Sequence, residues 1–166
     1  QEFARNDLVI SRANMANWMI YSTEHYFSLM YDLLKNILCK QHVVQADETT
    51  CNVVRDDRPA GTKSYMHVYR TNEFQKDRQI VLYKYSPGRG HKVAAEFLEG
   101  FHGYLETDAF SGYKALEKEQ TQITAAFCWA HARRDFSDAL KAVGAKRGVA
   151  IPQEGSVAAQ ALAKIA

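Results

Sequence analysis

The spacing of the apolar residues changes abruptly near Cys39, and this change constrains the fold more than any other feature. From Ser11 to about Lys40, apolar residues recur every three or four positions without an intervening Gly or Pro. This period predicts one long helix, or two helices with a kink, and Ser11 is its expected N-cap. After Cys39 the apolar segments are short and rich in β-branched and aromatic residues, which is typical of strands.

Three strand segments succeed one another with only polar turns between them. They are His42–Ala46, Ser64–Arg70 and Gln79–Tyr85. Sequential strands with short links predict an antiparallel meander, because a parallel pair needs a longer crossover. The segment Cys51–Arg55 either extends the first strand or adds a small one.

The second half of the chain alternates helices and strands. The predicted elements are a helix at His91–Phe101, a strand at Tyr104–Asp108, a helix at Ser111–Glu119, a strand at Gln122–Trp129 and a helix at Ala130–Val143. Strands that alternate with helices usually become parallel. We therefore expect an α/β fold with a mixed five-stranded sheet, in which an antiparallel three-strand meander is followed by parallel strands. Helices flank the sheet, and the long N-terminal helix precedes it.

These elements suggest three parts of the chain: an N-terminal helical segment at 1–40, a core at 41–145, and the start of a helical insertion or truncated tail at 146–166. The composition, 46% hydrophobic and 24% charged over 166 residues, suits one ordinary core. No run approaches the roughly 18 apolar residues of a membrane span, and the polar start lacks the plan of a signal peptide. We expect a cytoplasmic protein with no membrane partner.

The three cysteines are too few and too widely spaced for a disulfide framework, which favours reduced thiols. The formal net charge of +2 is too small to indicate a nucleic-acid partner without clustering of Lys and Arg. Neither property identifies a function.

Two aspartates stand at the expected ends of strands, Asp47 after the first and Asp108 after the fourth. Acidic residues at strand ends of an α/β sheet can converge although they are distant in sequence. Carboxylates suit Mg²⁺, and phosphoryl transfer uses two such ions about 4 Å apart. The residues alone leave a second interpretation open, in which each Asp caps the next turn or helix.

Six segments together resemble the transposases of insertion-sequence family sixty-six, in the order in which that family has them. They are Ala46–Thr49, Tyr85–Gly90, Glu96–Phe101, Gly103–Asp108, Gly112-Tyr113 and Cys128–Phe136. The last of them, Cys-Trp-Ala-His-Ala-Arg-Arg-Asp-Phe, is the most specific, whereas Ala-Asp-Glu-Thr alone is weak. The resemblance extends from about Ser11 to Val143.

This resemblance implies a DDE transposase of a bacterial mobile element, with a ribonuclease-H-like catalytic domain. The first two catalytic aspartates of the family correspond to Asp47 and Asp108, which would bind Mg²⁺ or Mn²⁺ in a two-metal site. The implied reaction is DNA strand cleavage and strand transfer without a covalent enzyme intermediate. The implied partners are DNA, at the transposon ends and the target, and further copies of the protein in a transposition complex.

The chain departs from the family pattern at two places. Thr50 stands where the family commonly has Pro, which leaves Asp47 unaltered. The third carboxylate of the family, in an Asn-Asn-x-x-Glu-Arg motif, has no counterpart before Ala166. We therefore expect an incomplete metal site and no enzyme activity from this chain alone. Asp135 and Asp138 are possible substitutes, but a solvated helix face explains them more simply.

Glu48 comes directly after Asp47. If the strand continues, its side chain points to the opposite face of the sheet, which favours a structural role.

Two Cys-x-x-His pairs offer a different hypothesis. Cys39 with His42 and Cys128 with His131 have a spacing that zinc sites use, and four such ligands could close a tetrahedron. The chain would then be a zinc-stabilised module. Against this, free cysteines near helix ends and in buried strands are usually small apolar side chains.

Two basic clusters are candidates for contact with DNA. They comprise Arg89, His91, Lys92, His131, Arg133 and Arg134. The glycine-containing turn around Arg89 is equally consistent with a tight turn alone, and His131 with a hydrogen bond in the core. The absent third carboxylate and the long N-terminal helix also permit a noncatalytic DNA-binding or assembly module.

Overall fold

The computed structural model describes residues 5–7, 9–53, 57–59, 61–75, 79–142 and 156–165. In these ranges the protein is α/β, with one mixed five-stranded sheet and helices. The elements after the N-terminal helices are β1 Val43–Cys51, β2 Ser64–Thr71, β3 Val81–Ser86, α3 His91–Phe97, β4 Gly103–Thr107, α4 Ser111–Glu119, β5 Ile123–Phe127, α5 Trp129–Ala142 and α6 Val157–Ile165.

The N-terminal helical segment consists of α1 (Arg12–Ser22), a π-helical turn (Thr23–Phe27) and α2 (Ser28–Leu38). The Ser11 side chain accepts a hydrogen bond of 3.0 Å from the amide of Asn14, which confirms the predicted N-cap. Of the helices in the described ranges, none has the length and apolar character needed to cross a membrane.

The strands lie in the order β3-β2-β1-β4-β5. β1 pairs antiparallel with β2, and β2 antiparallel with β3, whereas β1 pairs parallel with β4 and β4 parallel with β5. This confirms the predicted meander followed by parallel strands. It also makes β1 the central strand, flanked by one partner of each orientation.

Two helix and strand ends differ clearly from expectation. β1 does not end at Ala46 but continues to Cys51, because β2 pairs with it along that whole length. α3 ends at Phe97 rather than at Phe101. Residues 54–56 of the possible strand extension lie outside the described residues. So do residues 143–155, which include the start of the predicted tail; the described end of that tail forms α6.

The core lies between one face of the sheet and helices α2, α3 and α4. Val44 and Ala46 of β1 and Tyr69 of β2 are buried there against Phe97 of α3 and Leu116 of α4. The rings of Tyr69 and Phe97 stack with their centroids 3.7 Å apart and their planes 7° from parallel. Large aromatic surfaces removed from water in this way contribute much of the apolar stabilisation.

Gly103 allows β4 to approach β1 closely. Its φ is +149°, and a Cβ atom added to it would lie 2.4 Å from the carbonyl oxygen of His42. The next amide, of Tyr104, donates a 2.9 Å hydrogen bond to that same oxygen. A side chain at position 103 would therefore collide with the backbone that starts the parallel pairing.

We predict that Gly103→Ala lowers the free energy of unfolding by about 2 kcal/mol or more, because strained φ and a backbone clash act together. Urea unfolding measures this loss. Gly88→Ala is the matched control, since a Cβ there meets nothing within 4 Å. Equal losses in the two variants would contradict the close-approach argument.

His67 is a buried titratable side chain on β2, 3% exposed and paired in register with Glu48 of β1. Its ring stacks on that of Tyr69, with the centroids 6.4 Å apart. Burial lowers the pKa of His67 below its ordinary 6.5, although the backbone of Gly88 and the charge of Glu48 oppose this shift. The unfolded chain therefore binds the proton more readily than the folded protein does. The free energy of unfolding therefore carries no penalty from His67 at a pH above the pKa of this residue in the unfolded chain. It falls as the pH drops below that pKa.

We predict that lowering the pH from about 7.5 to about 5 destabilises the wild type more than His67→Phe, which has no proton to bind at that position. Urea unfolding at both pH values gives the comparison. His102→Gln serves as the control, because His102 is exposed and its loss is expected to leave the wild-type pH dependence intact. A His67→Phe variant with the full wild-type dependence would refute the assignment.

Candidate active site

Successive side chains of β1 point to opposite faces of the sheet, and this separates its two neighbouring acidic residues. The side chain of Glu48 is 2% exposed on the core face, whereas that of Asp47 is 52% exposed on the other face. The opposite orientation predicted for Glu48 is confirmed. The expectation that Asp47 ends the strand is wrong, because β1 continues past it; capping of a following helix does not explain this residue.

Asp47 borders a cleft of about 170 Å³ on the open face of the sheet. The cleft is lined by Gln45, Ala46, Asp47, Val68, Arg70, Glu106, Thr107, Cys128 and His131. Nε2 of His131 lies 3.7 Å from Oδ2 of Asp47, and the amide of Glu48 donates a 2.9 Å hydrogen bond to Oδ1. Gln45 donates a 2.7 Å hydrogen bond to Glu106, a second cleft carboxylate that the sequence did not single out.

Asp108 comes after β4 at the position that corresponds to Asp47 on β1. The parallel pairing of these strands runs to Gln45 and Glu106, and each aspartate lies two residues beyond that pair. The carboxylate of Asp108 is 22% exposed. Its Oδ1 accepts a 3.0 Å hydrogen bond from the amide of Phe110, and its Oδ2 accepts one of 3.1 Å from Arg89. Asp108 thus does stabilise the turn after β4, as its structural interpretation predicted.

Arg89 joins Asp108 to the buried Glu48. Its Nε donates to Oε1 of Glu48, and its guanidinium stacks over the ring of Phe110 at 3.8 Å. The hydroxyl of Tyr113 donates a 2.7 Å hydrogen bond to the other oxygen of Glu48. Burial, followed by this hydrogen bond, raises the pKa of Tyr113, so its hydroxyl remains a donor. The buried carboxylate is therefore compensated by two donors, as a buried charge requires.

The six candidate DNA contacts separate into two groups. Arg89 is held by Glu48 and Asp108, His91 lies 3.2 Å from a carboxylate oxygen of Glu119, and His131 faces Asp47. The remaining three, Lys92, Arg133 and Arg134, are exposed. Only this second group presents its charge chiefly to solvent.

The zinc hypothesis is wrong for this fold. Cys39 directs its thiol to the carbonyl oxygen of Phe97 at 3.7 Å, and burial, opposed by the charge of Lys35, raises its pKa. Cys128 instead lines the cleft with His131. Within the ranges that the structure describes, no group of three or more His, Cys, Asp or Glu side chains is arranged to hold a metal ion.

The aspartates of α5 do not complete the acidic site either. Asp135 and Asp138 are exposed, and Asp138 pairs with Lys141 one turn along the helix. This is the solvated helix face that explains them most simply.

The chemistry of the two aspartates suits a hard divalent cation, since both offer carboxylate oxygens. Both also have basic neighbours in the structure, His131 beside Asp47 and Arg89 on Asp108. A cation bound at Asp108 would share its oxygen with the guanidinium or displace it. Each of the two carboxylates therefore already has a basic side chain as its neighbour.

Comparison with known proteins gives two kinds of match, to curated relatives and to a family model. Protein y4qI of Sinorhizobium fredii is 30% identical over 145 residues, which cover 82% of this chain and 27% of that relative. Protein y4hP of the same organism is 25% identical over 131 residues, or 76% of this chain and 24% of the relative. The chain therefore spans about a quarter of the length of these curated relatives. The model of the family described as "Transposase IS66 family" matches residues 1–166, so the chain belongs to the IS66 family of transposases.

Proposed function

We propose that this chain contributes a ribonuclease-H-like catalytic core to a DDE transposase, with Asp47 and Asp108 as two of its metal ligands. The observation that carries the proposal is the equivalent position of the two aspartates, each two residues beyond the parallel pair of Gln45 and Glu106, Asp47 within β1 and Asp108 directly after β4. The mixed sheet, with its meander followed by parallel strands, supports the fold. The family membership supports transposition as the process.

The proposed reaction is cleavage of DNA strands and their transfer to a target. A bound Mg²⁺ or Mn²⁺ would supply charge stabilisation and activation of the attacking oxygen. Asp47 and Asp108 would hold it, and a third carboxylate from elsewhere in the assembled transposase would complete the site. The exposed cations Lys92, Arg133 and Arg134 would contact the DNA backbone.

We predict that Mn²⁺ binds this chain weakly, and that Asp47→Ala and Asp108→Ala each abolish the binding by removing one of two oxygen ligands. Isothermal titration calorimetry with the metal alone measures the affinity. Asp135→Ala is the control, because it removes an exposed aspartate from α5 without altering the proposed pair. Equal affinity in the wild type and all three variants would refute the shared metal site.

We predict that Arg133→Gln and Arg134→Gln each weaken duplex binding and reduce its salt dependence by about one unit of log–log slope, as expected when one phosphate contact is lost. Fluorescence anisotropy at several salt concentrations gives the slope. Lys141→Gln is the matched control, since it removes one positive charge near the other end of α5, where Asp138 already pairs with it. A change of slope in the control equal to that in the arginine variants would indicate a nonspecific charge effect.

The alternative is a noncatalytic DNA-binding or assembly module. The observation that favours it is the apolar surface of the N-terminal helices, where the side chains of Trp18, Met19 and Leu29 are 55%, 62% and 69% exposed. Exposed apolar surface of this extent is typical of sites of association. Salt-dependent duplex binding without any aspartate-dependent metal binding would favour this module over the catalytic core.

A further inference from the structure

Both oxygens of the Asp108 carboxylate have protein donors. Oδ1 accepts from the amide of Phe110, and Oδ2 accepts from the guanidinium of Arg89. The first of these is a turn hydrogen bond that any aspartate in this position can make. The second brings a full positive charge, on a long side chain from another part of the fold, to a carboxylate proposed to bind a metal ion.

Arg89 is held in this position from several sides. Glu48, whose side chain is 2% exposed, accepts from its Nε, and the ring of Phe110 lies 3.8 Å from its guanidinium. The turn that carries Arg89 is itself tethered, since Arg58 donates a 2.6 Å hydrogen bond to the carbonyl oxygen of Pro87. The guanidinium is therefore anchored close to Asp108.

The charge of Arg89 is constant over the range in which the protein can be studied. Burial alone would lower the pKa of Arg89. The hydrogen bond to Glu48 and the charges of Glu48 and Asp108 outweigh burial, so the pKa lies above the ordinary value for arginine, which is already high. One permanent cation thus serves two carboxylates, one of which is buried.

We propose that Arg89 is a positioning residue that sets the affinity of Asp108 for a divalent cation, and that Glu48 controls how strongly it does so. The inference rests on the proposed metal-binding role of Asp108. Glu48 and Asp108 bind different nitrogens of the same guanidinium and therefore compete for its charge. The more firmly Glu48 attracts Arg89, the more of the negative charge of Asp108 remains for a metal ion.

Because of this competition, substitutions of Arg89 and of Glu48 are expected to have opposite effects on metal binding at Asp108. Arg89→Gln removes the competing cation, so metal binding at Asp108 becomes tighter. Glu48→Gln removes the negative charge that attracts Arg89 away, so the guanidinium neutralises Asp108 more completely and metal binding becomes weaker. A merely structural role for the pair predicts weaker binding in both variants, because either loss would disorder the site.

The experiment is calorimetric titration of Mn²⁺ into the wild type, Glu48→Gln, Arg89→Gln and the double variant. We expect affinity about fivefold higher in Arg89→Gln and about fivefold lower in Glu48→Gln, the size expected of a partly exposed charge pair. The double variant is expected to match Arg89→Gln, because Glu48 acts through Arg89. Arg89→Lys retains the positive charge and is not expected to bind more tightly than the wild type.

A fifth variant provides an independent test in case Arg89→Gln does not fold, which circular dichroism would reveal. Tyr113→Phe removes the other donor to Glu48, whose carboxylate then attracts Arg89 more strongly. Tighter Mn²⁺ binding is expected, whereas unchanged or weaker binding overturns the inference.

The possible failures are distinguishable. Binding that Asp108→Ala abolishes, but that Arg89→Gln does not strengthen, overturns the role of Arg89 and leaves the proposed metal site in place. Absence of Asp108-dependent binding in every variant overturns the metal site and this inference together.

Discussion

The alternation of side chains along β1 is the constraint on which the rest of the site depends. Because β1 is the central strand, its two faces meet different surroundings, and consecutive residues enter different environments. Asp47 enters the open cleft and Glu48 the closed core, although both are carboxylates. A shift of the β1–β2 register by one residue would exchange them, leaving a buried Asp and an exposed Glu. The β1–β2 register is therefore a condition for the position of Asp47 in the cleft as well as for the packing of the core.

A carboxylate buried as deeply as Glu48 is costly unless charged or polar donors compensate it. Arg89 and Tyr113 provide that compensation from two different elements, the turn before α3 and the helix α4. The same contacts tie these two segments of the chain to the central strand of the sheet. The geometry around Asp108 is consequently coupled to the packing of the core, and not set by its own loop alone.

The sequence predicted those features that depend on local period. The meander followed by parallel strands, the N-cap at Ser11 and the opposed faces of Asp47 and Glu48 follow from local signals of this kind, and the structure retains them. The length of β1 was underestimated, because its second half is stabilised by pairing with β2 and not by its own polar residues. The length of such a strand depends on the sequence of the neighbouring strand as much as on its own sequence.

Long-range contacts were the part that could not be predicted. Nothing in the sequence pairs Arg89 with Glu48, 41 positions apart, or His131 with Asp47. The zinc hypothesis failed for the same reason: each Cys-x-x-His spacing is local, but whether two such pairs meet depends on the tertiary fold. Glu106 lies in the family segment Gly103–Asp108, but nothing in that segment marks it as a site residue, and its place in the cleft beside Asp47 reveals it.

The π-helical turn at Thr23–Phe27 has a consequence for the apolar surface of α1. Such a turn is equivalent to one extra residue in an α-helix, which rotates α1 by about 100° around the helix axis relative to α2. The apolar stripe of α2 faces the core through Leu34, Ile37 and Leu38, while α1 has no buried residue in its whole length. The turn thus marks a boundary in the helical segment: the apolar residues that follow it include those of α2 that pack on the core, whereas the apolar residues of α1 are exposed around the helix.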